Sequence, residues 1–347
     1  MLAKPLLRQP ETIIYGGFKG MGDLLCAAPT IVSALSHARQ VVLVLFPQVR
    51  ELLDLIDFGP NGHKLRVCAL PVGARGPKVR EFLREISQYS PDLIWISPHA
   101  PLTTTSAWKF PLIMWMLKRY YWPRALIAGA ESEQLSWLFN IRVPVDRRAP
   151  YMIREWEAYS ALQLSAPAAP PRPIGLVESI SRIRAQAPCY DLVIHPGAGA
   201  QNRQWPSSFY TTLLAQIPVH CKIAVIGLAA DVASIQAGAP AGREIHYLTG
   251  SLIDAVKGIA GARVALTMDS SSMFFANSLR IPTVALFGPS DPATVLSPGS
   301  SVTPLFEVKW QCQPCGKPVC CQKSVYCMTS IEPETVSEAV IRLLASA

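Results

Sequence analysis

The feature that most constrains the fold is a series of short apolar runs, each ending near a glycine, serine, aspartate or proline. In the first half of the chain these runs are TIIY at 12–15, VVLVLF at 41–46, DLIWIS at 92–97 and RALIAG at 124–129. In the second half they are DLVIHPGAG at 191–199, KIAVIG at 222–227, ARVALTMDSS at 262–271 and PTVALFGPSD at 282–291. Such runs are typical of buried parallel strands that carry ligand-binding loops at their carboxyl ends. With helical patterns between them, they predict an α/β protein built from doubly wound, Rossmann-like domains.

The length and one proline-rich segment predict two domains. A chain of 347 residues is longer than one hydrophobic core usually serves. The segment LSAPAAPPRP at 164–173 is stiff and non-helical, because proline fixes the backbone in an extended form. We therefore predict an N-terminal domain at 1–163, a linker at 164–173, a C-terminal domain at 174–330 and a final helix within 331–347.

Composition narrows the location and the partners. The best apolar run, Phe110–Leu117, is too short for a membrane span and is followed by Lys118 and Arg119. The N-terminus lacks the apolar core of a signal peptide, which predicts a cytoplasmic protein. The net charge of +8 favours anionic partners. Basic clusters at 78–84, 118–124 and 142–148 are mixed with apolar residues. This pattern favours a basic cleft, or peripheral contact with the inner face of a membrane. It is less typical of an arm that binds nucleic acid. An ordinary basic surface is the alternative, and the oligomeric state stays open.

The first candidate site is the turn GGFKGMGD, which follows the first predicted strand. Glycines such as Gly22 allow a ligand to approach the backbone closely. Asp23 stands at the start of the next helix, so its carboxylate is either a functional group or a helix cap.

The second candidate site is HPGAGAQNRQWP at 195–206. His195 ends a strand, and small residues such as Gly197 let backbone N–H groups converge on an anion near a helix N-terminus. Arg203 offers a planar, permanently charged fork to phosphate oxygens. A structural loop with a surface arginine and a strand-end histidine is the alternative.

Two further segments add to these. In MDSSSMFFANSL at 268–279, Asp269, Ser270 and Ser271 open a helix whose free N–H groups form a second anion cradle, although capping alone also explains the serines. In FGPSDP at 287–292, Gly288 lies in a turn whose backbone can contact a base.

Five cysteines crowd into residues 312–327. The spacing of Cys312, Cys315, Cys320 and Cys327 predicts a four-thiolate structural site for zinc or iron. Reduced, metal-free thiols are the alternative. A catalytic metal is disfavoured because four sulfur ligands leave no open position.

In order and spacing, these segments resemble glycosyltransferase family 9, the ADP-heptose:lipopolysaccharide heptosyltransferases. The matching strings are GMGDLLCAAPTIVSAL, HPGAGAQNRQWP, MDSSSMFFANSL, FGPSDP and the C-terminal CQPC…CC…CM…IEPETVSEAVIRLL. The resemblance implies the GT-B architecture: two facing doubly wound domains, with the nucleotide-sugar in the C-terminal one and the acceptor on the N-terminal one. It also implies sugar transfer with inversion and without a catalytic cofactor or metal.

The resemblance also implies roles for single residues. The family's catalytic base falls on Asp23, which would take the proton of the acceptor hydroxyl. The basic residue before Trp-Pro falls on Arg203, which would offset charge on the leaving diphosphate. Asp269 would lie beside the donor phosphates, and Asp231 would contact the ribose. The remaining candidate donor-binding residues are Gly22, His195, Gly197, Ser270, Ser271 and Gly288.

Two positions depart from the family pattern and leave the donor open. Ser271 stands where the family has glycine, and Phe274 stands where it has a histidine that binds the diphosphate. Losing that contact costs about 1–3 kcal/mol if the group is buried and charged. We expect ADP-heptose as donor and a hydroxyl of the lipopolysaccharide core or a related anionic glycan or glycolipid as acceptor. A different donor, a protein or other glycan acceptor, and a non-catalytic nucleotide-sugar-binding protein are the alternatives.

Overall fold

The structure, a computed structural model, describes residues 9–18, 20–70, 77–98, 109–132, 135–164, 172–186, 188–317, 319–321 and 327–346. The chain divides into two compact units, Met1–Ile174 and Gly175–Ala347. The predicted linker ends at this border, and its residues 165–171 lie outside the described residues. The assignment of acceptor and donor to the two units stays a prediction.

The first unit is built on a parallel sheet. Its strands are β1 (Thr12–Phe18), β2 (Gln40–Leu45), β3 (Leu65–Ala69), β4 (Leu93–Ile96), β5 (Leu126–Ala130) and β6 (Ile141–Val143). Its helices are α1 (Met21–His37), α2 (Pro77–Ile86), α3 (Lys109–Tyr121) and α4 (Tyr151–Ser160), with 3-10 turns at Pro47–Leu55, Gly62–Lys64 and Ser136–Leu138. The strand order is β3-β2-β1-β4-β5-β6, and the ladders are parallel.

The second unit repeats this plan. Its strands are β7 (Tyr190–His195), β8 (Ile223–Ile226), β9 (Ile245–Leu248), β10 (Ala262–Met268), β11 (Thr283–Phe287) and β12 (Val302–Phe306). Its helices are α5 (Glu178–Ala185), α6 (Ser207–Gln216), α7 (Ala229–Gln236), α8 (Leu252–Ala260), α9 (Ser271–Ser278), α10 (Pro292–Val295) and α11 (Pro333–Ser346), with 3-10 turns at Gln201–Arg203 and Cys327–Ser330. The strand order is β12-β11-β10-β7-β8-β9, again with parallel ladders.

Read from β9 to β12, the second sheet has the same order of strands as the first read from β3 to β6. The direction of winding changes between β1 and β4 in one unit and between β7 and β10 in the other. Doubly wound sheets bind their ligands at such a switch point, outside the carboxyl ends of the strands. The predicted fold class of two Rossmann-like units is confirmed.

The strands predicted from apolar runs are the central ones, and their cores are closed to water. Ile14, Ile94, Leu192 and Leu266, for example, have no exposed surface. Parallel strands covered on both faces must be apolar throughout, which is why these runs are continuous rather than alternating. In the described parts of the chain, no helix is both long and apolar enough to cross a membrane.

Candidate functional site

Except for Gly22, which lies in the first unit, the predicted donor-site residues lie at or just beyond the carboxyl ends of β7, β8, β10 and β11. His195 is the last residue of β7, and Asp269 directly follows β10, so the two stand on either side of the switch point of the second unit. Asp231 lies in the first turn of α7, which follows β8. Gly288 directly follows β11 and is buried. Parallel topology therefore gathers residues that are far apart in the sequence.

Arg203 and Asp269 form an ion pair, with 3.2 Å between Nη1 of the arginine and Oδ2 of the aspartate. The aspartate side chain is nearly enclosed, whereas the arginine side chain is about a third exposed, at 31%. The Nε–H of Arg203 is buried and has no hydrogen-bond partner among the described residues. A guanidinium has five N–H donors. Asp269 thus orients Arg203 while donors remain for an anionic ligand.

The Arg203 loop is fixed by the tryptophan that follows it. Trp205 is buried and donates its indole N–H to the carbonyl oxygen of Ile331, at 2.9 Å. Its ring also packs edge-on against Tyr210 of α6, with 4.9 Å between the ring centroids. Because the indole is held by this hydrogen bond and this ring contact, the loop that carries Arg203 is fixed in position.

His195, Gly197 and Asp231 form a tight cluster. A Cβ atom at Gly197 would lie 2.9 Å from Oδ2 of Asp231 and 3.2 Å from Cε1 of His195, so only glycine fits without a shift. Burial lowers the pKa of His195 below its usual 6.5, although the Asp231 carboxylate acts in the opposite direction. The imidazole is therefore neutral near pH 7. In the part of the chain that the structure describes, its buried Nδ1 has no hydrogen-bond partner.

The serines after Asp269 open α9 as predicted. Ser270 is the N-cap residue, but its hydroxyl pairs with the Ser272 hydroxyl at 2.7 Å instead of capping the backbone. Ser271 is the first residue of the helix. The N–H groups of a first helical turn have no partner within the helix and carry partial positive charge. Phe274, in place of the family's histidine, is half-buried in the next turn.

The turn at Gly288 is packed against residues of the cysteine-rich C-terminal segment. A Cβ atom at Gly288 would lie 2.6 Å from Sδ of Met328 and 2.8 Å from Sγ of Cys327, so a larger residue here would force these side chains to shift. Gln313 donates from Nε2 to the Gly288 carbonyl oxygen at 3.1 Å. No sequence motif marks Gln313, because its contact joins segments that are far apart in the sequence.

The same segment also reaches the Arg203 loop. The backbone N–H of Gly316 donates to the carbonyl oxygen of Pro289 at 2.7 Å. The side chain of Asn202 donates to the carbonyl oxygen of Lys317 at 2.9 Å. We call residues 313–317 the strap, because they connect the Gly288 turn to the loop that carries Arg203.

In the first unit, Asp23 lies in the first turn of α1 and is half-buried. Its Oδ2 accepts the backbone N–H of Gly20 at 3.0 Å. The capping role considered from the sequence is therefore present. The neighbouring Gly22, also half-buried, is the second residue of the helix. The role of Asp23 as a base and the role of Gly22 in donor binding remain predictions.

A buried carboxylate lies beneath the carboxyl ends of β1 and β4, and the sequence analysis did not find it. Glu155 of α4 has no exposed surface. It accepts the hydroxyl of Ser97 at 2.7 Å, the indole N–H of Trp95 at 2.8 Å and the hydroxyl of Tyr15. Burial, followed by the nearby Glu155 charge, raises the pKa of Tyr15 well above its usual value, so the phenol remains a donor.

Several solved structures that resemble this chain over nearly its whole length are glycosyltransferases. The E. coli ADP-heptose lipopolysaccharide heptosyltransferase II is 19% identical, over 97% of this chain and 99% of that chain, with a TM-score of 0.67. E. coli heptosyltransferase WaaC with ADP-2-deoxy-2-fluoro heptose is 13% identical, over 95% of this chain and 99% of that chain, with a TM-score of 0.67. The iron-containing dodecameric glycosyltransferase TibC from enterotoxigenic E. coli H10407 is 16% identical, over 98% of this chain and 77% of that chain, with a TM-score of 0.56. At these identities the likeness defines the fold, and the class is GT-B.

The sequence itself gives the family. The profile of glycosyltransferase family 9 (heptosyltransferase) matches residues 102–325. This chain belongs to glycosyltransferase family 9, as its motifs predicted. Among curated proteins, no sequence matches it.

The cysteine cluster does not match the predicted metal site. Among the residues that the structure describes, no three or more histidine, cysteine, aspartate or glutamate side chains are placed to hold a metal ion. The thiol of Cys312 is hydrogen-bonded to Cys321, which was not in the predicted ligand set. Cys327 is buried against Gly288, and burial, followed by the nearby Cys320 and Cys315 thiols, raises its pKa to about 11. The four-thiolate zinc or iron site at Cys312, Cys315, Cys320 and Cys327 is therefore not supported.

Proposed function

We propose that this chain transfers a sugar from a nucleoside-diphosphate donor, with ADP-heptose as the preferred donor, onto an acceptor hydroxyl. The observation that carries the proposal is the Arg203–Asp269 ion pair at the switch point of the second unit, with a buried guanidinium N–H still available. A diphosphate leaving group gains negative charge as the sugar departs. Arg203 is oriented in advance to meet that charge.

The start of α9 supports the same assignment. Asp269, Ser270 and Ser271 lead into the helix, whose first N–H groups offer a second cradle for phosphate oxygens. Arg203 and the helix N-terminus together supply positive charge. A diphosphate that leaves without the help of a metal ion needs such charge to stabilise it. Phe274 contributes no charge, so Arg203 carries a larger share of diphosphate binding than in a family member with histidine there.

The His195–Gly197–Asp231 cluster is suited to the nucleoside. The Asp231 carboxylate is a hydrogen-bond acceptor for ribose hydroxyls. The neutral imidazole of His195 has an unused Nδ1, and Gly197 keeps the backbone close to both side chains. WaaC was solved with an ADP-sugar analogue, which makes ADP-heptose the first donor to test.

The proposed reaction is a single displacement. The acceptor oxygen forms a bond to the anomeric carbon, and the bond from that carbon to the β-phosphate oxygen breaks. The leaving electron pair stays on the nucleoside diphosphate, opposite Arg203. Asp23 takes the proton of the acceptor hydroxyl. A phosphorylated or acidic-sugar acceptor would suit the basic residues of the first unit, so we propose an anionic glycan or glycolipid, with the lipopolysaccharide core as the leading candidate.

The test is a donor panel with two readouts. ADP, UDP and GDP are first compared by thermal shift, where ligand binding to the folded state raises the unfolding temperature. Matched nucleotide-sugars are then incubated with acceptor, and released nucleoside diphosphate is measured. We expect ADP to stabilise most and ADP-heptose to turn over. In Arg203→Ala, loss of a charged hydrogen bond worth about 1.5–3 kcal/mol should weaken ADP binding roughly 10- to 100-fold.

Two outcomes would contradict the proposal in different ways. Tight ADP binding without turnover of any sugar, with or without acceptor, would favour a non-catalytic nucleotide-sugar-binding protein. A preference for UDP or GDP would reject the donor assignment while retaining the reaction. Undiminished ADP binding in Arg203→Ala would remove Arg203 from the donor site.

A further inference from the structure

The solvent side of α3 is apolar, which is unusual for a surface helix. We define the α3 face as the exposed residues on this side, namely Trp115, Met116, Arg119 and Tyr120. The side chains of Trp115, Met116 and Tyr120 are 38%, 45% and 76% exposed. The opposite side of the helix, with Phe110, Met114 and Leu117, is buried in the core of the first unit. The helix therefore exposes large apolar and aromatic side chains on the side that the core does not cover.

Helix α2 of the same unit shows the ordinary arrangement. It buries Phe82 and Ile86 and exposes Lys78, Arg80, Glu81, Arg84 and Glu85. A surface helix normally has this polar outer side. The α3 face thus departs from the rule that α2 follows, and exposed apolar patches of this kind mark interaction sites.

Other aromatic residues extend the exposed surface near α3. Tyr121, the last residue of the helix, is half exposed. Trp137 is 68% exposed and lies in the 3-10 turn Ser136–Leu138, which packs against α3. Tryptophan and tyrosine are the residues that concentrate at the interface between a membrane and water.

The charged residues of α3 and of the sequence that flanks it have one sign. From residue 93 to residue 130 the sequence contains no aspartate or glutamate, whereas Lys118, Arg119 and Arg124 occur at the end of the helix and just after it. Lys118 bonds through Nζ to the carbonyl oxygen of Pro123 at 3.3 Å, which holds its charge beside the helix end. A surface that joins apolar and aromatic side chains to basic ones is complementary to an anionic bilayer, since basic groups meet the headgroups and apolar groups enter the acyl boundary.

We propose that the α3 face is a docking surface for an anionic phospholipid bilayer. The helix lies along the membrane plane, with Trp115, Met116 and Tyr120 at the level of the headgroup–acyl boundary and Arg119 at the phosphates. The proposal is independent of the donor assignment, because no residue of the α3 face belongs to the candidate site.

The test is sedimentation of the full chain with vesicles of phosphatidylcholine alone or with about one third phosphatidylglycerol. We expect binding to the mixed vesicles only, with a decline as salt rises. Arg119→Glu and the double variant Met116→Ser/Tyr120→Ser should each reduce partitioning about tenfold. Matched controls in the second unit, Arg342→Glu and Val219→Ser, alter an exposed arginine and an exposed valine and should bind as the wild type does.

A bilayer-specific readout separates this surface from a protein interface. Brominated lipids should quench wild-type tryptophan emission, and Trp115→Phe should remove a measurable part of the quenching. Absence of vesicle binding at low salt would overturn the proposal. So would equal binding by the α3 and control variants. Sedimentation velocity gives the third overturning result, a wild-type oligomer that becomes monomeric in Met116→Ser/Tyr120→Ser while vesicle binding is unchanged. Unfolding temperatures confirm that each variant is folded.

Discussion

The two units have the same strand order but different chemistry at the switch point. In the second unit, Arg203 and Asp269 form an ion pair there, and the Nε–H of Arg203 has no hydrogen-bond partner among the described residues. In the first unit, Glu155 lies below the strand ends and is occupied by Ser97, Trp95 and Tyr15. In the second unit, Arg203 keeps N–H donors available to a ligand. In the first unit, Glu155 uses its carboxylate to hold elements of that unit together.

This contrast teaches that a shared sheet fixes where polar groups gather and leaves their task to the local residues. A carboxylate satisfied on all sides by internal donors is a structural group. A guanidinium held on one side by a carboxylate keeps N–H donors that a ligand can use. Helix starts show the same division, because Asp23 of α1 and Asp254 of α8 make the same backbone bond and we assign a reaction to only one of them.

The largest effect should come from Asp23→Asn. Asparagine keeps an oxygen that accepts the Gly20 N–H, so the helix cap is retained. It has no basic carboxylate, so it cannot take the proton of the acceptor hydroxyl. We expect kcat to fall about 10²- to 10⁴-fold, with ADP affinity unchanged. The matched control is Asp254→Asn, since Asp254 accepts the Ser251 N–H at 3.1 Å in the same way. Equal kcat values for the two variants would show that Asp23 only caps the helix and is not the catalytic base.

The next effect concerns stability and belongs to the first unit. Glu155→Ala leaves three buried donors without their acceptor, so we expect the free energy of unfolding to fall by about 3 kcal/mol, with ADP binding to the folded protein retained. Glu155→Gln keeps an acceptor oxygen and should lose less. Glu157→Ala, on an exposed position of the same helix, is the control. Urea unfolding measures all three, and a Glu155→Ala protein as stable as the Glu157→Ala protein would contradict the assigned role.

Gly197→Ala tests whether the His195–Gly197–Asp231 cluster of the second unit contacts the nucleotide. The added methyl group would press on Asp231 and His195, and we expect ADP affinity to fall about tenfold, a change typical of 1–2 kcal/mol of strain. Gly199→Ala in the same loop is the control, because a Cβ atom there meets nothing within 4 Å. Calorimetric titration with ADP distinguishes the two. Similar affinities would show that the cluster shifts freely or does not contact the nucleotide.

The smallest effect is a dependence of stability on pH. Burial lowers the pKa of both His37, in the first unit, and His195, in the second, below 6.5. Below that pH the unfolded chain takes up protons that the folded chain resists, so stability is full above 6.5 and declines as pH falls toward the folded pKa values. Unfolding temperatures from about pH 7.5 to about pH 5.5 should show this decline. His37→Gln and His195→Gln should each reduce it, and His63→Gln, at an exposed position, should leave it unchanged.

The central strands could be predicted from the sequence, and the edge strands could not. Strands β1, β2, β4 and β5, with β7, β8, β10 and β11, coincide with apolar runs to within a few residues. The missed strands β3, β6, β9 and β12 all lie at sheet edges. An edge strand is covered on fewer sides, so segments such as LRVCA and IHYL keep polar residues and lose the continuous apolar signal.

The same limit applies to the site. Arg203, Asp269 and His195 could be chosen as candidates because each lies close to a strand end or a helix start that the sequence marks. Glu155 and Gln313 could not, because their partners are far away in the sequence and only the tertiary fold brings them together. The metal prediction lacks support for a related reason, since cysteine spacing says nothing about Cys327 being buried against Gly288.

The strap has a thermodynamic consequence for ligand binding. Bonds from Gly316 to Pro289 and from Asn202 to Lys317 tie together two turns that are more than eighty positions apart in the sequence. Neither turn has to be ordered separately when a ligand arrives, because folding has already removed that conformational freedom. Preorganisation of this kind raises affinity without adding a single contact to the ligand.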